Sequence, residues 1–223
     1  EYKAMKIESV DTDKKILTVT GSGYAPTGEF YQNSKQINPK SIELLLRIGY
    51  LCNNAKLNNK GEKCEIIGDP TEGSLIVLSK KGKFEDTNNN FSLLEELPFD
   101  SDRKRMSKIF ANKINKKTEA YAKGAPDILL NLCDRTVENG KVRKLTQNDR
   151  EKISKVNASF AERALRVLAF AYKEIPKSAK YDIKEVERNL IFVGLVGMID
   201  PPREEIKEAV KQCQDAQIKV MII

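Results

Sequence analysis

The order of hydrophobic and polar residues along the chain predicts a mixed α+β domain. Alternation in Met5–Val10 and in Ile16–Thr20 predicts two strands joined around Asp11-Thr12-Asp13 as a hairpin. Further strands are predicted between residues 93 and 122 and over residues 164–172. Helical spacing and helix-start residues predict helices from about Ser41 to Ala55, between Asp69 and Gly82, after Pro126 and after Thr146.

The last part of the chain has a different pattern. Ile191–Ile199 is almost wholly apolar, Glu204–Ala216 has helical spacing, and Ile218–Ile223 is apolar again. A strand–helix–strand unit with unbroken apolar strands is typical of a buried parallel sheet. We therefore expect two domains, residues 1–189 and 190–223, the second being a C-terminal βαβ stub of a parallel α/β domain from a longer protein.

The composition excludes several kinds of active site. The 223 residues include no His, which rules out His-based triads, His metal sites and His proton shuttles. The four Cys residues stand far apart without a C-x-x-C pair, which is typical of reduced thiols in a cytosolic protein and not of a metal site. No apolar run approaches the roughly 18 residues of a membrane span, and the N-terminus does not have the pattern of a signal peptide.

The net charge of +7 is concentrated in residues 101–150, where 13 Lys and Arg stand against 6 Asp and Glu. A basic stretch favours an anionic partner such as a nucleotide, a nucleic acid or an acidic membrane surface. A run of lysines is also typical of an ordinary solvated surface. The common phosphate-binding loop G-x-x-x-x-G-K-[ST] and a complete dinucleotide-binding glycine pattern are both absent from the sequence, so charge alone does not identify the partner.

Two residues in this part of the chain are candidates for ligand contact by their chemistry. Phe99 follows Pro98 beside a cluster of charges, and its ring is either part of the core or an exposed stacking platform. Lys123 precedes Gly124 at a position where a tight turn brings a cation close to a ligand, although a solvated lysine is the ordinary alternative.

Two further candidates belong to predicted regular elements. Glu72 stands three residues after Asp69, as in a helix capping box, and such a residue needs no ligand. Arg166 shares a strand face with Leu168 and Phe170, so its guanidinium either extends to solvent or pairs with a buried group. A phosphate would suit this forked donor.

Several short strings together carry a sharper signal than any single residue. The strings are Val19–Glu29, Gly68–Gly73, Pro98–Ser107, Lys123–Asp127, Ala164–Ala169 and Asp200–Arg203. In their order and spacing they resemble the large cytoplasmic loop of P-type cation-transporting ATPases, and most closely the calcium-pump branch of the sarcoplasmic and bacterial kind. The resemblance covers essentially the entire chain.

The resemblance implies a nucleotide-binding domain made of a twisted, mainly antiparallel sheet flanked by helices. By the same resemblance Phe99 stacks on adenine, Glu72 lies at the adenine amino group, and Arg166 contacts the phosphates. Charge does not rank Arg103, Lys104 and Arg105, of which Lys104 is taken as the phosphate contact. The implied ATP-binding residues are Thr71, Glu72, Phe99, Lys104, Lys123, Gly124, Arg166 and Leu168.

One position departs from the calcium-pump pattern. Ser101 stands where the sarcoplasmic-type pumps have a phosphate-contacting Arg two residues after the stacking Phe. We therefore expect no phosphate contact at Ser101 and weaker nucleotide affinity.

The resemblance also implies the setting of this domain. The parent pump would use ATP with Mg²⁺, and this domain would hold ATP or ADP and present it to an aspartate outside the chain, next to phosphorylation, actuator and transmembrane domains. The family's DKTGT motif is expected upstream and its TGD motif downstream. The chain is expected to be a soluble, monomeric piece of a cytoplasmic loop that binds nucleotide without hydrolysing it. Ca²⁺ is the expected ion, while Mn²⁺, Na⁺ and H⁺ remain open.

Two other functions have partial support in the sequence. A nucleic-acid-binding module would explain the basic middle of the chain, but the sequence lacks interleaved aromatics and any recognised module motif. A hydrolase of the haloacid dehalogenase type needs a D-x-D nucleophile loop after a buried strand. Asp11-Thr12-Asp13 has that spelling but lies in a predicted polar hairpin, so we reject this alternative.

Overall fold

A computed structural model describes residues 6–12, 15–60, 63–178, 180–200 and 204–221. Within these residues the chain forms thirteen strands, six α-helices and a 3-10 turn at Pro39–Ile42. The strands are β1 (Lys6–Thr12), β2 (Lys15–Val19), β3 (Phe30–Gln32), β4 (Lys35–Gln36), β5 (Lys56–Lys60), β6 (Lys63–Ile67), β7 (Phe91–Asp100), β8 (Arg105–Asn112), β9 (Lys117–Gly124), β10 (Cys133–Glu138), β11 (Lys141–Lys144), β12 (Arg166–Ile175) and β13 (Leu190–Ile199). The helices are α1 (Glu43–Leu51), α2 (Pro70–Lys81), α3 (Pro126–Asn131), α4 (Gln147–Glu162), α5 (Ile183–Val186) and α6 (Glu204–Asp215).

Eleven of the described strands form one sheet. Nine follow the order β4-β3-β2-β1-β13-β12-β9-β8-β7, and β10 joins through β13 with β11 beside it. Every described pair in this sheet is antiparallel except β10–β13. A separate antiparallel ribbon is formed by β5 and β6. The predicted α+β class with a mainly antiparallel, helix-flanked sheet is confirmed, as is the hairpin of β1 and β2.

Helices cover both faces of this sheet. On one face α1 and α2 bury an apolar cluster against strand residues that include Tyr121 and Phe170. On the other face α3 and α4 pack against residues that include Ala169 and Ala171. The alternation of Ala169, Phe170 and Ala171 between the two clusters shows that β12 is buried on both faces, as expected of a central strand.

Capping residues define the starts of the two helices that matter most. At α2 the Asp69 side chain accepts a hydrogen bond from the backbone N–H of Glu72 at 3.1 Å. At α4, Thr146 and Asp149 form a complete capping box. The ion pair with Arg143, helped by Thr146 and opposed by burial, holds the pKa of Asp149 well below its ordinary value.

No helix in the described part of the chain is long and apolar enough to cross a membrane.

The strand expected to open a second domain lies in the middle of the sheet. β13 pairs antiparallel with β12 along one edge, while β10 and β1 share its other edge. Its residues are buried from Leu190 to Met198, and burial on both faces produces an unbroken apolar run whatever the direction of the neighbouring strands. The division at residue 189 stays a prediction, but this geometry favours a boundary after Ile199.

The region after β13 is described in part. The predicted helix is present as α6, and residues 218–221 have no regular secondary structure. Some residues of the predicted strands, turns and motifs lie outside the described residues, namely Met5, Asp13, Pro201–Arg203 and Ile222–Ile223.

Candidate functional site

Four neighbouring strands place the candidate residues at one end of the sheet. Asp100 of β7 pairs with Arg105 of β8, Arg105 with Gly124 of β9, and Gly124 with Ala169 of β12. With strands about 4.8 Å apart, this row spans roughly 14 Å. Four candidates are direct chain neighbours of its members: Phe99, Lys104, Lys123 and Leu168.

The first turn of α2 supplies a carboxylate to this end of the sheet. Lys123 shares a face with Tyr121 and Phe170, the face that α1 and α2 cover. Its ammonium lies 2.7 Å from Oε1 of Glu72, and the two side chains are 6% and 17% exposed. Oε2 of Glu72 accepts a hydrogen bond from the backbone N–H of Asn54 at 3.0 Å. Only the Asp69 half of the expected capping box is formed, because the Glu72 carboxylate is bonded to Lys123 and Asn54 at the candidate site.

Arg166 and Thr71 connect α2 to the start of β12. The guanidinium Nη1 of Arg166 donates to Oγ1 of Thr71 at 3.0 Å. Arg166 is exposed and shares a face with Leu168, which packs against the cluster under α1 and α2. Among the described residues no carboxylate pairs with this guanidinium, so most of its five donors are available to an anion.

Lys104 lies in the tight turn between β7 and β8. Its backbone has a φ of 53°, its N–H donates to the carbonyl of Asp100 at 2.7 Å, and its carbonyl accepts from the N–H of Ala125 at 3.0 Å. The side chain is exposed, and no ion pair with its ammonium occurs among the described residues. The backbone of this residue is thus held at both ends while its charge faces solvent.

The two arginines beside Lys104 have a different environment. Nη1 of Arg103 lies 2.8 Å from both carboxylate oxygens of Glu187, and Nε of Arg105 lies 2.7 Å from Oε2. The Glu187 side chain is only 1% exposed. Both arginines therefore pair with a carboxylate of the protein, whereas among the described residues Lys104 does not. The structure thus distinguishes Lys104 from Arg103 and Arg105, which charge alone could not do.

Phe99 is not a core residue. It is 64% exposed near the end of β7, next to the turn that carries Lys104. Ser101 in the same turn is exposed as well. An exposed aromatic ring beside cationic side chains is suited to stacking, the second of the two roles that its sequence position allows.

Gly124 is required by a close approach of two strands. A Cβ atom at this position would lie 2.5 Å from Cβ of Arg105 and 2.6 Å from the carbonyl oxygen of Lys104. These distances are too short for real contacts, so a larger residue would displace the turn of Lys104. Gly124 therefore contributes through the position of the backbone.

A second buried lysine, which sequence analysis did not single out, lies on the same face. Nζ of Lys108 donates to the carbonyl of Asn53 at 2.8 Å and to Oδ1 of Asn54 at 2.5 Å, and lies 3.2 Å from Glu96. Burial acts to raise the pKa of Glu96, but hydrogen bonds from Asn54 and Lys108 outweigh it and lower the pKa. The sequence signal was the run Met106, Lys108, Phe110, which puts a charge on an apolar strand face.

Cys52 lies beneath the two buried lysines. Burial raises the pKa of its thiol to about 11, although the charges of Lys123 and Lys108 act in the opposite direction. No group of three or more Cys, Asp or Glu side chains suited to a metal ion is formed within the described residues. Of the cations described at this end of the sheet, Lys123 and Lys108 pair with Glu72 and Glu96, Arg103 and Arg105 share Glu187, and Lys104 and Arg166 are exposed without a carboxylate partner among the described residues.

Comparison with known proteins agrees with the motifs of the chain. The family described as "P-type ATPase, cytoplasmic domain N" matches residues 41–205. A calcium-transporting ATPase of Bacillus subtilis is 35% identical over 98% of this chain and 25% of its own length. Calcium-transporting ATPase 1 of Bacillus cereus is 40% identical over 84% of this chain and 20% of its own length. Calcium-transporting ATPase 1 of Lactococcus lactis is 38% identical over 93% and 23%, respectively.

These relatives confirm the resemblance drawn from the sequence motifs. The chain spans between a fifth and a quarter of the length of these three relatives. The family match covers α1 through β13, which includes every candidate site residue. The chain therefore belongs to the P-type ATPase family and contains its cytoplasmic domain N.

Proposed function

We propose that this chain binds ATP at the end of the sheet where β7, β8, β9 and β12 meet. The observation that supports this most strongly is the row from Asp100 to Ala169, which spans roughly 14 Å and has the exposed Phe99 and Lys104 as chain neighbours. The exposed Arg166 stands three residues before Ala169 on β12. Such a combination matches a ligand with a flat base at one end and several negative charges at the other.

Each part of ATP has a counterpart among these residues. The Phe99 ring offers a face to adenine, and stacking on an aromatic ring is worth about 1–3 kcal/mol per base. Glu72 supplies carboxylate oxygens that accept from an amino group. Lys104 and Arg166 supply charge-assisted donors for phosphate oxygens. Mg²⁺, bound with the phosphates in the parent protein, would neutralise part of their charge.

In the parent pump this domain would present the γ-phosphate to an aspartate outside the chain. None of the proposed contact residues is an aspartate, so we expect binding without turnover by this chain. The names of the relatives support Ca²⁺ as the transported ion. Phosphorylation, actuator and transmembrane domains would be its partners, and the chain would lie in a cytoplasmic loop and be monomeric and soluble by itself.

The distribution of charge favours ATP over nucleic acid. Five of the 13 basic residues in positions 101–150 are buried or paired with carboxylates, which reduces the positive charge that this stretch exposes. The engaged or buried residues are Arg103, Arg105, Lys108, Lys123 and Arg143. What remains near the site is local, which suits a small anionic ligand.

An NMR titration with ATP tests the proposal. We expect saturable shifts at residues 71–72, 99–104 and 123–124, weakened by Phe99→Ala and by Lys104→Ala. Lys116→Ala is a matched control, because Lys116 is an exposed lysine with a φ of 59° in the turn at the opposite end of β8. A titration without saturation, or one that is indifferent to Phe99→Ala and Lys104→Ala, would refute the proposal. Stronger binding of an oligonucleotide would favour the alternative.

A further inference from the structure

Glu187 is a buried carboxylate whose side chain bonds to residues in the turn between β7 and β8 and at the start of β8. It accepts from Arg103 at 2.8 Å on both oxygens, from Arg105 at 2.7 Å and from the Ser107 hydroxyl at 2.8 Å. Its side chain is 1% exposed, against 22% for Arg103 and 15% for Arg105. This cluster of Glu187, Arg103, Arg105 and Ser107 is the Glu187 cluster.

The Glu187 cluster is anchored far along the chain from the turn that it holds. Glu187 follows α5, and its N–H donates to the carbonyl of Ile183 at 2.9 Å. The preceding Val186 is buried with Leu97 and Ile109 of β7 and β8. Ser107 and Ile109 alternate along β8 with the residues that face α1 and α2. The Glu187 cluster therefore lies on the opposite face of the sheet from the Lys123–Glu72 pair.

The same arginines fasten the turn at residues 101–104. Arg103 donates through Nη2 to the carbonyl of Pro98 at 2.6 Å, and Arg105 donates through Nη1 to the carbonyl of Arg103 at 2.9 Å. Lys104 lies between these two anchors in a left-handed conformation. A residue other than Gly or Asn adopts this backbone conformation at a cost in free energy, so the surrounding contacts must hold Lys104 in it.

We propose that Glu187 is a positioning residue for the phosphate end of the nucleotide site, acting through Arg103 and Arg105 on Lys104. This rests on the proposed function, because it concerns how that site holds its anion. The buried carboxylate holds the Arg103 and Arg105 guanidinium groups in place, and so it fixes the turn from which the Lys104 side chain extends. Glu187 itself does not touch the nucleotide.

A double-mutant cycle distinguishes positioning from a general contribution to folding. Glu187→Gln, Lys104→Ala and the double variant are compared with the wild type for binding of ATP and of adenosine, which lacks the phosphates. We expect Glu187→Gln to weaken ATP binding about fivefold to tenfold, the loss of one charge-assisted contact, and to leave adenosine binding within about twofold. In the Lys104→Ala background it should have no further effect on ATP.

Each outcome of this experiment decides between two explanations. Equal weakening of ATP and adenosine, or the same effect with and without Lys104, would overturn the positioning role. If Lys104→Ala weakens ATP binding and Glu187→Gln does not, the inference fails while the proposed function stands. Absence of ATP binding by the wild type defeats the proposed function itself. Arg103→Gln breaks the same link from the turn and carries the same expectation where Glu187→Gln does not fold, as judged by circular dichroism.

Discussion

Replacing Glu72 by Gln should destabilise the folded protein in the absence of any nucleotide. The substitution leaves the Lys123 ammonium, 6% exposed, without the carboxylate that lies 2.7 Å away. At an effective dielectric constant of 20, two unit charges at that distance attract by about 6 kcal/mol before the cost of desolvation is subtracted. Removing one partner of a buried pair costs about 3–5 kcal/mol, because the remaining charge is uncompensated.

The reverse substitution should cost less. In Lys123→Met the Glu72 carboxylate keeps its hydrogen bond from Asn54 at 3.0 Å and some access to water. We expect a loss of about 1–2 kcal/mol. The double variant should lose less than the sum of the single variants, with a coupling energy of at least about 1.5 kcal/mol.

Urea denaturation, monitored by circular dichroism, measures these free energies of unfolding. For a chain of this length, a loss of 3 kcal/mol corresponds to a fall in Tm of about 6–12 °C. Glu174→Gln is the matched control, since Glu174 pairs at 2.9 Å with Lys117 on β9, the strand that also carries Lys123, but both side chains are about half exposed. That change should cost less than about 1 kcal/mol. Strict additivity in the cycle, or equal losses for Glu72→Gln and Glu174→Gln, would refute the reasoning.

Three further predictions concern the same fold. Gly124→Ala should lower the free energy of unfolding by about 1–3 kcal/mol and should also lower ATP affinity. Gly49→Ala should be neutral or stabilising, because its added Cβ meets only ordinary contacts of 3.6 Å or more. Equal effects of the two substitutions on denaturation and on ATP binding would contradict this prediction. Iodoacetamide at pH 8 should label Cys64 much faster than Cys52, whose buried thiol has a pKa raised to about 11, and equal rates by mass spectrometry would refute it. Because folding lowers the pKa of Asp149, the ionised carboxylate stabilises the folded state above its ordinary pKa of 3.8, and this stabilisation is lost as pH falls. The difference in free energy of unfolding between the wild type and Asp149→Asn should therefore become smaller below pH 3.8. A difference that stays constant with pH would refute this role of Asp149.

The main elements followed from local pattern, and the missed ones show where pattern ends. Asp69 and Thr146 identified the starts of α2 and α4, because the hydrogen bonds that cap a helix are local. No strand was predicted from the sequence in the stretch that forms the ribbon of β5 and β6. Its residues pair with each other outside the main sheet, so the sequence KLNNK shows no alternating apolar face.

The candidate site could be assembled from motifs, but the role of each residue depended on contacts distant in sequence. Lys123 and Glu72 are 51 residues apart, and Arg166 and Thr71 are 95 apart. Glu187 was missed entirely, although it lies 84 residues from Arg103 and holds it with two hydrogen bonds. A charged residue that becomes buried has the same appearance in the sequence as one that stays in solvent.

The sequence by itself determined the family and the starts of α2 and α4, and it indicated the candidate residues that the fold brings to one end of the sheet. It did so because motif spacing, capping and periodicity are carried by residues close together in the chain. Only the tertiary structure decided that β13 completes the central sheet, that Phe99 is exposed, and that Lys104 is distinguished from Arg103 and Arg105 by the buried carboxylate of Glu187. The physical reason is that burial and ion pairing are set by which strands become neighbours, and strand order is a property of the whole chain.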